Sequence, residues 1–203
     1  EQGLIGISSP HFYGWVMGAS HPVGIAADWL TSGWGQNAGI YQTSPAAAVA
    51  EEISARWLLS LLKLPASSSV GFTTGATMAS FICLSAARAN VLAKVGWDLD
   101  EDGLNGSPTI SVFLSKEAHA TIFGALRYLG FGKRHLILID ADNQGRMSAD
   151  DLAAKITDVT GPKIIICQAG HINSGAFDSF NEITKIANNH DAWLHADGAF
   201  GLW

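Results

Sequence analysis

Three short stretches carry residue types that could do chemistry at a shared edge. Trp193-Leu194-His195-Ala196 is an apolar run that delivers one carboxylate, Asp197, and then opens into glycine at Gly198 and Gly201. The alternation reads as a buried strand ending at Asp197, and in an α/β sheet the carboxyl ends of strands are where ligands meet the protein. A plainer role for Asp197 is a turn or a helix cap. Thr73-Thr74-Gly75-Ala76-Thr77 runs straight into the alanine-rich segment Met78 to Arg88. A helix that begins on small residues and hydroxyls leaves backbone N–H groups free, and with the helix dipole these can hold a phosphate. The plainer role is a threonine capping a core helix. No lysine follows the glycine, so this is not a nucleotide P-loop. His119 precedes Ile122 and Phe123 by three and four residues, which turns it inward from the first turn of a helix, to stack on a flat ring or to rest in the core.

These groups need a scaffold, and the remaining sequence supplies one. Strands are predicted at Thr109–Leu114, His135–Asp140, Lys163–Cys167 and Trp193–Ala196. Between them, helices are predicted from Ser115 onward with Ile122, Phe123, Leu126 and Leu129 on one face, at Leu152–Ile156 behind a capping-box-like Ser148 to Asp151, and at Phe180–Asn188. Lys163–Cys167 is continuously apolar, as a strand covered on both faces requires. Strands alternating with helices from Val70 onward predict an α/β domain with a largely parallel sheet. Thr77, His119 and Asp197 each fall beside the carboxyl end of an extended stretch, and Val70–Thr73 is the approach to the first. Upstream, Ser44 and Pro45 open a helix with Ile53, Trp57, Leu58, Leu61 and Leu62 at helical spacing, ending before Pro65. Residues 1–43 hold Trp15, Trp29, Trp34 and Tyr41 with no sustained period, and are read as an aromatic arm with a short helix near Gly24–Leu30. Trp97–Ser107 reads as a surface loop.

Composition narrows the classes of function. Twelve basic against eighteen acidic residues give a net charge of −6 with no basic run, which removes the footprint of a nucleic-acid surface. Cys83 and Cys167 lie in apolar runs without disulfide or metal-site spacing, and read as buried free thiols of a reducing, cytoplasmic compartment. The histidines show no metal-ligand spacing on a common helix face. No apolar segment is expected to cross a bilayer. Low charge with seven tryptophans and 22 glycines points to a large subunit interface, or to further sequence that covers part of the core.

Taken together, the ordered motifs resemble the pyridoxal-phosphate-dependent group II amino-acid decarboxylases of the aspartate-aminotransferase-like fold. The resemblance rests on Ser44-Pro45 before a long helix ending in Leu-Pro, on Thr-Thr-Gly-Ala-Thr-Met-Ala-Ser at 73–80, on Glu-Ala-His-Ala-Thr at 117–121, on Gly-Ala-Phe-Asp at 175–178 and on His-Ala-Asp-Gly-Ala at 195–199. It implies a fold type I large domain over 44–203, incomplete at its carboxyl end, with the aromatic arm 1–43 packing on it or on a partner. It implies that Gly75, Ala76 and Thr77 hold the phosphate of pyridoxal 5'-phosphate, that His119 stacks on its ring, that Asp197 pairs with the ring nitrogen, and that Ala199 packs against the ring.

The activity it implies is decarboxylation of an L-amino acid to the amine by a homodimer, with Trp15, Val16 and Met17 near an apolar or aromatic substrate side chain. Other outcomes on the same cofactor remain open, among them transamination, aldol cleavage and aldehyde formation. So does a non-catalytic homologue acting as an assembly partner. The family's Schiff-base lysine follows the His-x-Asp motif in a His-Lys pair that does not occur in these 203 residues. The chain is therefore expected to be an internal portion of a longer protein, inactive by itself. His171 and Ile172 stand where the family usually carries threonines or asparagine.

Overall fold

The computed structural model describes residues 3–14 and 18–203. Trp15, Val16 and Met17, expected near the substrate side chain, lie outside the described residues. The chain divides into two units, 1–66 and 67–203.

In the first unit, helix α1 (Pro22–Trp34) is longer than the stretch expected around Gly24–Leu30. Pro22 suits the first turn and Gly35, at φ 58°, closes the helix in the left-handed region that glycine adopts freely. Helix α2 (Pro45–Leu61) stops before Pro65 as predicted. Its start differs from expectation: Ser44 is the N-cap residue but its hydroxyl makes no cap bond and is buried without a partner among the described residues. Its inward face differs too. Leu59 is the buried residue, whereas Trp57 and Leu61, expected to face a core, are 71% and 66% exposed in this chain.

The second unit is a four-stranded parallel sheet of order β2-β1-β3-β4, with β1 Ser111–Ser115, β2 Leu136–Ile139, β3 Lys163–Gln168 and β4 Trp193–Asp197. Helix α3 (Ala76–Ala93) and then a short helix α4 (Leu99–Asp102) precede β1, and α5 (Ala120–Tyr128), α6 (Ala149–Ile156) and α7 (Phe180–Asn189) connect the strands. Strand alternation sorts the side chains into two apolar layers. Val112, Leu114, Ile164 and Ile166 pack with Leu84, Ala87 and Val91 of α3 and Ile122 and Leu126 of α5. Phe113, Ile165 and Cys167 pack with Leu152 and Ile156 of α6 and Ile183 and Ala187 of α7. The doubly covered β3 is buried from Lys163 through Cys167, which explains its continuous apolar run.

Four expectations are corrected here. Asp98 accepts the Asp100 and Glu101 N–H groups and so nucleates α4 inside the predicted surface loop. Val70–Thr73 forms no strand, so α3 is entered from irregular chain. Cys83 is exposed rather than buried, because it faces away from the layer that holds Leu84 and Ala87. Finally, α3 is long and apolar enough, at 18 residues and a mean hydropathy of 1.3, to cross a bilayer by length and composition. Its buried side chains lie on the sheet, as those of a core helix do.

Candidate functional site

Parallel order puts the ends of all four strands on one edge, and Asp197 and His119 stand at or after two of those ends. Asp197 is the last residue of β4, half-buried, and its Oδ1 accepts the Ala199 N–H at 3.1 Å. That Asx turn reverses the chain directly after the carboxylate. The turn is then seated by close backbone contact. A Cβ built on Gly170, at φ +95°, would meet the Gly201 backbone at 2.9 Å, so only glycine admits the two segments side by side. Ala169 N donates to Asp197 O at 2.8 Å and extends the β3–β4 pairing to the rim.

His119 follows the end of β1 by four residues and is the N-cap of α5 rather than a residue of its first turn. Its Nδ1 accepts the Thr121 N–H at 3.4 Å and lies 2.8 Å from the Thr121 hydroxyl, which fixes the plane of the half-buried ring. This corrects the inward orientation expected from spacing: the ring belongs to the rim and not to the layer of Ile122 and Leu126. Its aromatic neighbour is Phe200, with ring centroids 6.5 Å apart and planes tilted by 56°. Thus His119 and the turn after Asp197 are brought together. Phe200 was not anticipated as a site residue, although its place three residues after Asp197 was the available signal.

The third group is the start of α3, which packs on both α5 and β4. Gly75 is the N-cap and supplies no side-chain acceptor, so the threonine cap considered from sequence is not formed. Gly75, Ala76 and Thr77 are all exposed, and the first-turn N–H groups remain available to an anion. Thr74, Gly75 and Thr77, with Met78, Phe81 and Tyr128, line a recess of about 590 Å³. Uncapped amides and a threonine hydroxyl as donors, a half-buried carboxylate as acceptor and a fixed imidazole are the groups that suit a phosphorylated, cationic aromatic ring. The residues present therefore fit pyridoxal phosphate.

Behind the rim, Asp178 holds the edge together. At 5% exposure it accepts Met147 N at 2.8 Å on one oxygen and Gln168 N at 2.7 Å on the other. Gln168 is the register partner of Asp197, so Asp178 braces the strand end beside the carboxylate. Burial pushes its carboxyl above the usual range against the opposing pull of those two bonds. His171 is buried beside it. A Cβ on Gly145 would sit 2.7 Å from the His171 ring, and Nδ1 accepts Asn173 N at 3.2 Å, so His171 packs the hairpin at 141–147 onto the loop after β3. His195, on the same strand face as Asp197, is buried, and burial holds its pKa below the ordinary imidazole value while the Asp197 charge opposes this.

Comparisons with known proteins identify the family and the fold. The chain matches the conserved domain described as pyridoxal-dependent decarboxylase over residues 2–202. It is 33% identical over 199 residues to an aromatic-L-amino-acid decarboxylase of Bacillus atrophaeus, covering 96% of this chain and 39% of that protein. Mouse CSAD superposes with a TM-score of 0.82 at 25% identity, over 92% of this chain and 39% of the other. Oryza sativa TDC, determined with PLP and tryptamine, shares the fold at a TM-score of 0.77 and 24% identity, over 88% of this chain and 38% of the other. The chain thus spans about two fifths of the length of these relatives.

Proposed function

This chain belongs to the pyridoxal-dependent decarboxylase family, with pyridoxal phosphate as its cofactor, and from that premise we propose that the whole protein decarboxylates an L-amino acid to its amine. What supports the proposal is a carboxylate, Asp197, at the end of β4, a cap imidazole, His119, after β1, and the uncapped start of α3 in the same unit. When bound, the cofactor supplies an electron sink for the pair released as a bond to the substrate's α-carbon breaks.

The chain's own residues do the rest. Gly75, Ala76 and Thr77 anchor the phosphate through backbone N–H groups and the Thr77 hydroxyl, at the positive end of the α3 dipole. Asp197 would hold the ring nitrogen and favour its protonated form, since an adjacent carboxylate favours the charged form of a basic group. His119, its plane fixed by Thr121, would stack on the cofactor and hold or move a proton, and Ala199 would pack beside it. The substrate is an aromatic or apolar L-amino acid, a reading supported by the Bacillus atrophaeus relative. The protein works as a homodimer, which is supported by the exposed Trp29 and Trp34 of α1. It acts in the cytoplasm, in keeping with two free cysteines.

The test incubates the full-length protein and cofactor with a panel of L-amino acids and measures carbon dioxide and amine together. Equimolar release of both from at least one aromatic amino acid is expected. Cofactor turnover without carbon dioxide would contradict decarboxylation and favour transamination or aldol cleavage.

A further inference from the structure

His195 is a buried polar side chain to which the reading above gives no task. It lies at the third position of β4, opposite Ile166 of β3, so strand alternation turns its ring to the face shared by Trp193 and Asp197. Trp193 and Ile166 belong to the apolar layer beneath α3 and α5. There His195 keeps 7% exposure, and its Nε2 has no hydrogen-bond partner among the described residues. A buried nitrogen without a partner is costly, and a position that served packing alone would be filled by an aliphatic residue at no such cost.

The charges around it single out one partner. Over its first three turns α3 carries no Asp, Glu, Lys, Arg or His. Lys163 stands at the opposite end of β3 and donates to Gly161 O. Glu182 and Lys185 of α7 lie on the helix that covers the other layer. His119 caps α5 at the rim with Nδ1 engaged by Thr121. Asp197, two residues along the same face, is the charge that acts on His195.

We propose that His195 is the positioning residue for Asp197: a ring N–H holds the carboxylate from the core side and keeps it ionised and in one rotamer at the strand end. Oδ1 of Asp197 is steadied from the rim side by Ala199 N, and the imidazole is the group placed to steady it from the other. No hydrogen bond joins the two side chains in this structure, and rotation of the half-buried Asp197 side chain is the movement that closes it. The role in catalysis rests on reading Asp197 as the partner of the cofactor's ring nitrogen, whereas the coupling of the two side chains stands without it.

Histidine-selective NMR of the full-length protein without added cofactor tests that coupling. In the Asp197→Ala variant the pH midpoint of His195 is expected to fall by about half a unit or more, and its ring tautomer to lose its preference. An unmoved His195 midpoint with an unmoved tautomer overturns the proposal. In the cofactor-loaded protein, His195→Phe is expected to weaken cofactor affinity about tenfold and to shift the pH dependence of the cofactor absorbance. His195→Gln, which keeps an N–H donor, is expected to restore most of both. Parent affinity and an unshifted profile in His195→Phe would likewise overturn it. Failure of the parent protein to take up cofactor would instead refute the proposed function, and the NMR result would then decide the His195–Asp197 coupling alone.

Discussion

Replacing Asp178 with asparagine probes the brace behind the site. The carboxylate is 5% exposed and accepts two backbone N–H groups, Met147 at 2.8 Å and Gln168 at 2.7 Å, one on each oxygen. Asparagine keeps one acceptor and turns an NH₂ toward the other donor, so one buried backbone N–H loses its partner. That loss costs about 1–3 kcal/mol. A partial offset comes from no longer burying a charge, the effect that pushes the Asp178 pKa up.

The sign with pH follows from that upward shift. Between the ordinary carboxyl pKa and the raised folded value, the folded state binds more protons than the unfolded one, so this group's contribution to stability falls as pH rises through that interval. Asp178→Asn is therefore expected to lose about 1–3 kcal/mol at low pH, with a smaller deficit above the interval, read by urea unfolding at several pH values. Thermal midpoints would drop by about 2–4 °C per kcal/mol for a chain of this size. A variant within about 0.5 kcal/mol of the parent at every pH would refute the brace.

Three further outcomes follow from the same structure. Thr77→Ala should weaken cofactor binding by about 1–3 kcal/mol, as loss of a hydrogen bond to a charged group does, and fluorescence titration would measure it; equal affinity would remove the phosphate cradle. Cys83 is exposed and Cys167 is fully buried with its thiol pushed far up by burial, so alkylation of the native protein near pH 8 should label Cys83 first and Cys167 only after unfolding. Gly201→Ala would place a Cβ 2.5 Å from the Phe177 ring, and closer still to the Ala169 carbonyl. Displacing the turn that carries Ala199 should cost about 1–3 kcal/mol of stability and reduce cofactor affinity with it.

The central sheet was legible because β3 and its neighbours carry runs whose burial is set by period alone. Lys163–Cys167 reads as a doubly covered strand and is one, and Trp193 to Asp197 ends on its carboxylate as its spacing predicts. Errors arose where capping decided the outcome. His119 was placed inside a helix by its distance to Ile122, but its ring nitrogen meets the Thr121 N–H and makes it the cap. Asp98 similarly starts α4 within a segment whose turn formers read as loop. The exposure of Cys83 is not legible in the sequence because α3 is apolar on every side, so its period does not single out the face that meets the sheet. Phe200 and the seat of Gly201 on Ala169 depend on contacts between the loops after β3 and β4, which no local pattern encodes. The candidate positions Asp197, His119 and Thr77 are legible in the sequence because each borders a strand end or a helix start, where unpaired backbone and polar side chains meet.

The most direct measurement is carbon dioxide release by the full-length protein loaded with cofactor, from an aromatic L-amino acid, compared with its Asp197→Ala variant. Stoichiometric carbon dioxide and amine are expected from the parent, and loss of both in a variant that remains folded by circular dichroism. Sustained carbon dioxide release from the folded variant would contradict the placement of Asp197 at the ring nitrogen.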